Sequence, residues 1–315
     1  MAVRRQGVRV VASLQRPARL RRGDRVAVVA PSGPVDERRL ERGCEALRRF
    51  GLEVVLGEHA LDQRGFLAGT DEDRAADLQK AWLDDSVRAV VCARGGYGAM
   101  RVLDHLDWTA MAGAEPKVFL GSSDITALHL AFHHHLGLAT LFGPMPAGFA
   151  LGTGQLDQAS ITHLTRTLFT PGDVREIVVP HAEVLVPGRA SGMLVGGNLA
   201  LLAACVGAPE LRPAEGAIVL LEDVNEAPYR IDRMLTQLLR AGWFAGVAAI
   251  VAGTWVDCGE GVSEVLLDRL GPLGVPIVNG FDFGHGRRQL TMPLGVVAEL
   301  DAEARKLVLG EPALA

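Results

Sequence analysis

Cysteine is scarce in this chain. Four occur among 315 residues, at positions 44, 92, 205 and 258, and none forms a C-x-x-C pair. That spacing excludes a disulfide framework and a zinc-ribbon site, and makes a reducing cytosol the parsimonious compartment. Aromatic residues make up 5% of the chain, with two tyrosines and four tryptophans. Neither charge dominates: 32 basic against 37 acidic side chains leave a net charge of −5, which gives no reason to expect nucleic acid or an anionic membrane as partner. Unbroken apolar runs of about 20 residues, the length of a membrane span, are missing too. Residues 136–156 are uncharged but carry Pro144, Pro146 and five glycines, and 241–256 is too short. The stretch 8–14 is too short and too interrupted for a signal-peptide core.

What is present fits a globular protein. Apolar residues make up 49% and charged residues 22%, enough for a sizeable core, and the length suggests about two domains at roughly 150 residues each. Residues 1–22 hold seven arginines and no acid, and read as a basic extension that frays. From residue 23 to about 155, apolar runs (25–30, 53–56, 87–92, 117–120) alternate with helical periodicity (36–50, 70–83, 100–106, 125–136). Asp36 and Thr70 stand where N-caps belong. Strand, glycine turn and helix in repetition predict a parallel α/β sheet with helices on its faces. A bridging helix follows over 156–175. Residues 176–315 begin β-rich, with a helix predicted from Gly196-Gly197-Asn198 onward and further strands at 217–221, 247–252, 275–278 and 296–300.

In parallel α/β sheets function collects at the carboxyl ends of strands. Two turns stand out there. Arg94-Gly95-Gly96-Tyr97-Gly98 follows the third strand, whereas a dinucleotide fingerprint would follow the first, which leaves an oxyanion-binding turn or a structural one. Gly121-Ser122-Ser123-Asp124 puts a serine between strand and helix, as in a nucleophile elbow, although G-x-S-x-G is not matched and an N-cap serine is the plainer alternative. His129 and His133 have metal-pair spacing, but no third ligand is evident and a polar helix face is the simpler reading. His285, between glycines in a loop after a strand, suits presentation into a cleft. Glu222 and Asp223 follow an apolar strand, where an ionised acid needs a partner such as an imidazole, with Glu226 competing for that role.

Several blocks in order, APSGPV (30–35), FLAGTDEDRAADLQKAW (66–82), ARGGYGAMRVLDHLDW (93–108), GSSDITALHL (121–130), GGNLALLAACVGAP (196–209), LLEDVNEAPYRIDRMLTQL (220–238) and FDFGHG (281–286), resemble the LD-carboxypeptidase family. These are serine peptidases of murein tetrapeptide recycling, a group that also contains microcin C self-immunity peptidases. The resemblance implies a Rossmann-like or flavodoxin-like parallel-sheet N-terminal domain, a smaller β-rich α/β C-terminal domain and a homodimer. It implies a triad of Ser123, His285 and Glu222, with oxyanion donors at the N–H groups of Gly96 and Asp124, and no metal or cofactor. The family commonly has an aromatic or larger residue at position 122, so Ser122 puts a second hydroxyl in the turn. Since such an enzyme cuts at a chain end, Arg94 and Arg230 are candidates for holding the substrate carboxylate. A sulfamoyl-adenylate peptidase and a non-catalytic peptide- or sugar-binding protein on the same scaffold are the alternatives.

Overall fold

The computed structural model describes residues 13–315. The first half runs β1 (Arg25–Val29), α1 (Glu37–Arg49), β2 (Glu53–Leu56), α2 (Asp71–Leu83), β3 (Val87–Cys92), the short α3 (Ala99–Val102) and α4 (Trp108–Ala112), β4 (Val118–Gly121) and α5 (Thr126–Ala131). Both expected caps form: the Asp36 side chain accepts from the Arg39 N–H, and that of Thr70 from the Asp73 N–H. Beyond α5 the helix widens into a π turn over Phe132–Leu136 and stops at left-handed Gly137. Then come β5 (Thr140–Phe142), α6 (Phe149–Thr153) and α7 (Gln158–Phe169).

The second half runs β6 (Glu176–Val178), β7 (Glu183–Val186), β8 (Arg189–Asn198), α8 (Leu199–Ala204), β9 (Ile218–Val224), α9 (Pro228–Arg240), β10 (Ala249–Val256), α10 (Val262–Leu270), β11 (Ile277–Asn279), β12 (Met292–Leu294), β13 (Val297–Asp301) and β14 (Lys306–Leu309). Two sheets result, ordered β12-β5-β4-β3-β1-β2 and β6-β14-β13-β8-β9-β10-β11-β7. Strands β1 to β5 are parallel, as are β8 to β11. Helices cover both faces of such sheets, which is why Val26–Val29 of β1, Val118–Leu120 of β4 and Ile218–Leu221 of β9 are continuous apolar runs rather than alternating ones. Among the described residues no helix is long and apolar enough to cross a membrane.

The main departures from the sequence expectations are the following. β8 continues through Gly196, Gly197 and Asn198, which pair with Leu220, Leu221 and Glu222; the expected helix starts only at Leu199, with Asn198 as its cap. β9 extends to Val224, so Glu222 and Asp223 lie inside the strand, not after it. β12 joins the first sheet antiparallel to β5, carrying a strand from late in the chain into the N-terminal layer. Finally, the extension is packed from Ser13 onward. Leu20 is 2% exposed and donates its N–H to Leu168 O at 2.8 Å, Ala315 donates to Pro17 O at 2.9 Å, and Arg16 pairs with Glu311 at 2.6 Å. The arginines at 4, 5 and 9 lie outside the described residues.

Candidate active site

Ser123 ends the turn after β4 with φ 61°, one of four non-glycine residues with positive φ among those described. A left-handed L-residue costs about 1–2 kcal/mol, a strain that persists only where surrounding contacts enforce it. One such contact is the Asp124 carboxylate. Buried at 2% exposure, it accepts from the Ser32 hydroxyl after β1 and from the Ala99 N–H at 2.8 Å, binding three strand-end loops together. The Arg94–Gly98 turn lies directly against the serine. A Cβ added to Gly95 would sit 2.9 Å from Ser123 Cβ, 3.1 Å from its Oγ and 3.2 Å from the Asp124 N. Glycine is therefore what allows this turn and the start of the following helix to share one small space. The Gly96 N–H finds no acceptor among the described residues.

His285 reaches the same cavity from the other half of the chain. Its loop is anchored by fully buried Phe281 and Phe283 and strapped to β10, where Phe283 O accepts from the Thr254 N–H at 2.9 Å and from its hydroxyl at 3.1 Å. His285 Nδ1 lies 2.6 Å from Glu222 Oε2, with the imidazole side chain 26% exposed and the carboxylate 0%. Burial alone would lower the imidazole pKa. The charge of Glu222 and its hydrogen bond override this and hold it above the usual histidine value. With Nδ1 committed to the carboxylate, Nε2 is left as the nitrogen available to a serine hydroxyl. Asn198, opposite Glu222 in β8, donates Nδ2 to Glu222 Oε1 at 3.2 Å and to Asp223 Oδ1 at 2.9 Å. Asp223 caps α8 through the Ala200 N–H at 2.9 Å; burial, then the neighbouring Glu222 charge, push its carboxyl up to about 6.

Ser123, His285, Arg94, Gly95 and Gly96 line a cavity of about 190 Å³ together with Arg39 and Gln289. Glu226 pairs instead with Arg230 at 3.5 Å, and Arg230 also bonds Tyr229; neither Glu226 nor Arg230 lines the cavity. Arg39, on α1, was unmarked in the sequence because it is one of several arginines on a polar helix. Asn198 and Thr254 were missed because their roles depend on strand register. His129 is a core residue, with Nδ1 2.8 Å from Thr140 Oγ1 and Nε2 3.0 Å from Gly121 O; burial lowers its pKa to about 3. It ties β4 to β5 below the serine turn and has no nitrogen left for a metal. His59, Asp62 and Asp73 are the set of metal-type donors brought together among the described residues, and they already satisfy one another, with His59 Nδ1 2.8 Å from Asp62 Oδ2. A larger hollow of about 270 Å³, lined by Leu130, His133, Met193, Val195 and Trp243 among others, contains no serine.

Comparison with known proteins matches residues 26–143 to the LD-carboxypeptidase N-terminal domain and residues 191–300 to the LD-carboxypeptidase C-terminal domain. A Streptomyces coelicolor protein is 55% identical over 307 residues, 96% of this chain and 98% of its own. The murein tetrapeptide carboxypeptidase of Pseudomonas aeruginosa is 35% identical, covering 88% of this chain and 93% of its own. Among solved structures, MccF in complex with glutamyl sulfamoyl guanosine superposes with a TM-score of 0.87 over 95% of this chain and 99% of its own, at 23% identity, a likeness of fold. The chain belongs to the LD-carboxypeptidase family and is a serine-type peptidase hydrolase.

Proposed function

We propose that this protein removes the terminal D-alanine from murein tetrapeptides by hydrolysing an L,D-amide bond. The observation that carries the reading is the meeting, on one cavity, of a left-handed serine and a histidine already paired with a buried glutamate. Ser123 Oγ attacks the carbonyl of the penultimate residue while His285 Nε2 takes its proton. Glu222 holds the ring tautomer and offsets the imidazolium charge. The oxyanion is received by the N–H groups of Gly96 and Asp124, each worth about 3 kcal/mol of barrier. Collapse of the tetrahedral intermediate breaks the C–N bond, the imidazolium protonates the leaving amine of D-alanine, and water then hydrolyses the acyl-enzyme. Diaminopimelate or lysine would supply the L-centre before the cut.

The substrate class is favoured by the 35%-identical relative named for murein tetrapeptides over the 23%-identical sulfamoyl-nucleoside binder. Stacking a nucleobase also calls for an aromatic platform, and the cavity wall is made of arginine, serine, glycine, alanine, methionine, histidine and glutamine. The four buried free thiols agree with a cytosolic site of action on recycled murein peptides. A homodimer belongs to the same reading and is checked by sedimentation. The test incubates the protein with a diaminopimelate-containing muramoyl tetrapeptide and, separately, with an aminoacyl sulfamoyl adenylate. D-Alanine release with little adenylate turnover is expected; the reverse pattern would transfer the protein to the immunity-peptidase class.

A further inference from the structure

A carboxypeptidase must recognise the free end of its substrate, and covalent geometry says where. In a leaving D-alanine the carboxylate carbon is three bonds from the scissile carbonyl carbon, within about 4 Å. The cation that receives it therefore has to stand on the wall of the serine cavity itself. Among the described residues two arginines do, Arg39 and Arg94, and no acidic residue lines the cavity beside them.

The two guanidinium groups are prepared differently. Arg94 is fixed: Nε donates to Gly95 O at 3.1 Å and Nη1 to Pro34 O at 2.9 Å, and a Cβ on Gly96 would lie 3.4 Å from Nη2. That leaves Nη2 beside the oxyanion turn as a stationary donor. Arg39 projects from the first turns of α1. Its backbone N–H is engaged by the Asp36 cap, while its guanidinium has no hydrogen-bond or ion-pair partner among the described residues. On the same helix Arg48 pairs with Glu41 at 2.8 Å, whereas the Arg38 and Arg39 guanidinium groups have no ion-pair partner among the described residues, and of these two it is Arg39 that lines the cavity. A planar guanidinium without a carboxylate, on the wall of a cavity that holds a nucleophile and lacks acids, is complementary to a carboxylate brought by the ligand.

We propose that Arg39 binds the terminal carboxylate of the substrate, with Arg94 as a fixed second donor, and so confines this hydrolase to chain ends. The inference rests on the carboxypeptidase reading above and names its terminal-carboxylate subsite. Arg230, tied to Glu226 and Tyr229 away from the cavity, has no part in it.

The experiment compares a tetrapeptide ending in D-alanine with the same peptide ending in D-alaninamide, in wild type, Arg39→Ala and Arg39→Lys. Hydrogen bonds to charged groups are worth about 1.5–3 kcal/mol, so kcat/KM of the wild type should favour the acid by about ten- to a hundredfold. Arg39→Ala should bring that ratio close to one, chiefly through KM, and Arg39→Lys should recover part of it. Alanine is at home in an exposed helix position, so the variant is expected to fold. An acid-to-amide ratio that survives Arg39→Ala overturns the proposal. So does an equal loss on both peptides, which would point to another carboxylate of the substrate, such as that of the diaminopimelate side chain. Binding of the two peptides to Ser123→Ala, with and without Arg39→Ala, separates this proposal from the reaction. A wild type that releases neither D-alanine nor D-alaninamide defeats the carboxypeptidase reading. An acid preference in binding that vanishes with Arg39 supports the subsite independently, and its absence refutes the subsite.

Discussion

Replacing Gly284 with alanine probes the coupling of His285 to Glu222 without substituting either residue. Gly284 has φ +110°, and a Cβ built there would lie 2.6 Å from Glu222 Oε2, 2.7 Å from Thr254 Oγ1 and 3.0 Å from Glu222 Cβ. These contacts are too short to persist. Glu222 is fully buried and held by Asn198, so the strain falls on the loop, and the 2.6 Å contact between His285 and Glu222 opens. A charge-assisted hydrogen bond of about 1.5–3 kcal/mol is then weakened or lost, which at about 1.4 kcal/mol per decade predicts a fall in kcat of roughly ten- to a hundredfold. Gly280→Ala is the control in the same loop. Its φ is also positive, +83°, but its Cβ would meet nothing nearer than Ala182 Cα at 3.9 Å, so it tests backbone strain alone and should leave kcat within about twofold. The assay is D-alanine release coupled to D-amino-acid oxidase, with folding checked by circular dichroism. A folded Gly284→Ala protein with wild-type kcat would refute the reasoning, as would equal losses in the two variants.

Two further outcomes follow from the same contacts. The general base must be neutral, and Glu222 raises the pKa of His285, so wild-type activity should fall on the acid side below a pKa higher than the ordinary histidine value. In Glu222→Gln the larger of the two carboxylate influences opposing burial is removed and the Asp223 charge alone remains against it, so the acid limb moves to lower pH and kcat drops by on the order of 10³- to 10⁴-fold; an unmoved limb in the pH–rate profile would contradict the assignment of Glu222. Leu20→Ala removes a side chain that is 2% exposed and packs among core residues; denaturant unfolding should show a loss of about 2–5 kcal/mol, whereas a frayed extension would register almost nothing.

The parallel alternation of the first half was legible because its central strands β1, β3 and β4 are largely buried and its helices carry side-chain caps at Asp36 and Thr70. What escaped depends on partners remote in sequence. β5 and β12 are three residues each, too short for periodicity to register; β5 is held between β4 and β12, and β12 pairs with it across about 150 residues of chain. Gly196 and Gly197 read locally as a helix start, yet the ladder to Leu220 and Leu221 keeps them in a strand. The same ladder puts Asn198 opposite Glu222, which is why the carboxylate's second partner could not be read beforehand. In the site, Ser123, Glu222 and His285 were visible through their turn and strand-end settings together with the family resemblance. Arg39 was not, since nothing in an arginine-rich helix reveals which side chain lacks an acid. Arg230 sat in a plausible loop, but its neighbours Glu226 and Tyr229 occupy it.

The central claim is that Ser123, strained into a left-handed turn beside a paired histidine, is the nucleophile. It is tested most directly by measuring D-alanine release from the muramoyl tetrapeptide with wild type, Ser123→Ala and Ser122→Ala side by side. Release by wild type and Ser122→Ala, abolished in a folded Ser123→Ala, is the predicted result. Release that persists in Ser123→Ala, or vanishes only in Ser122→Ala, would contradict the account.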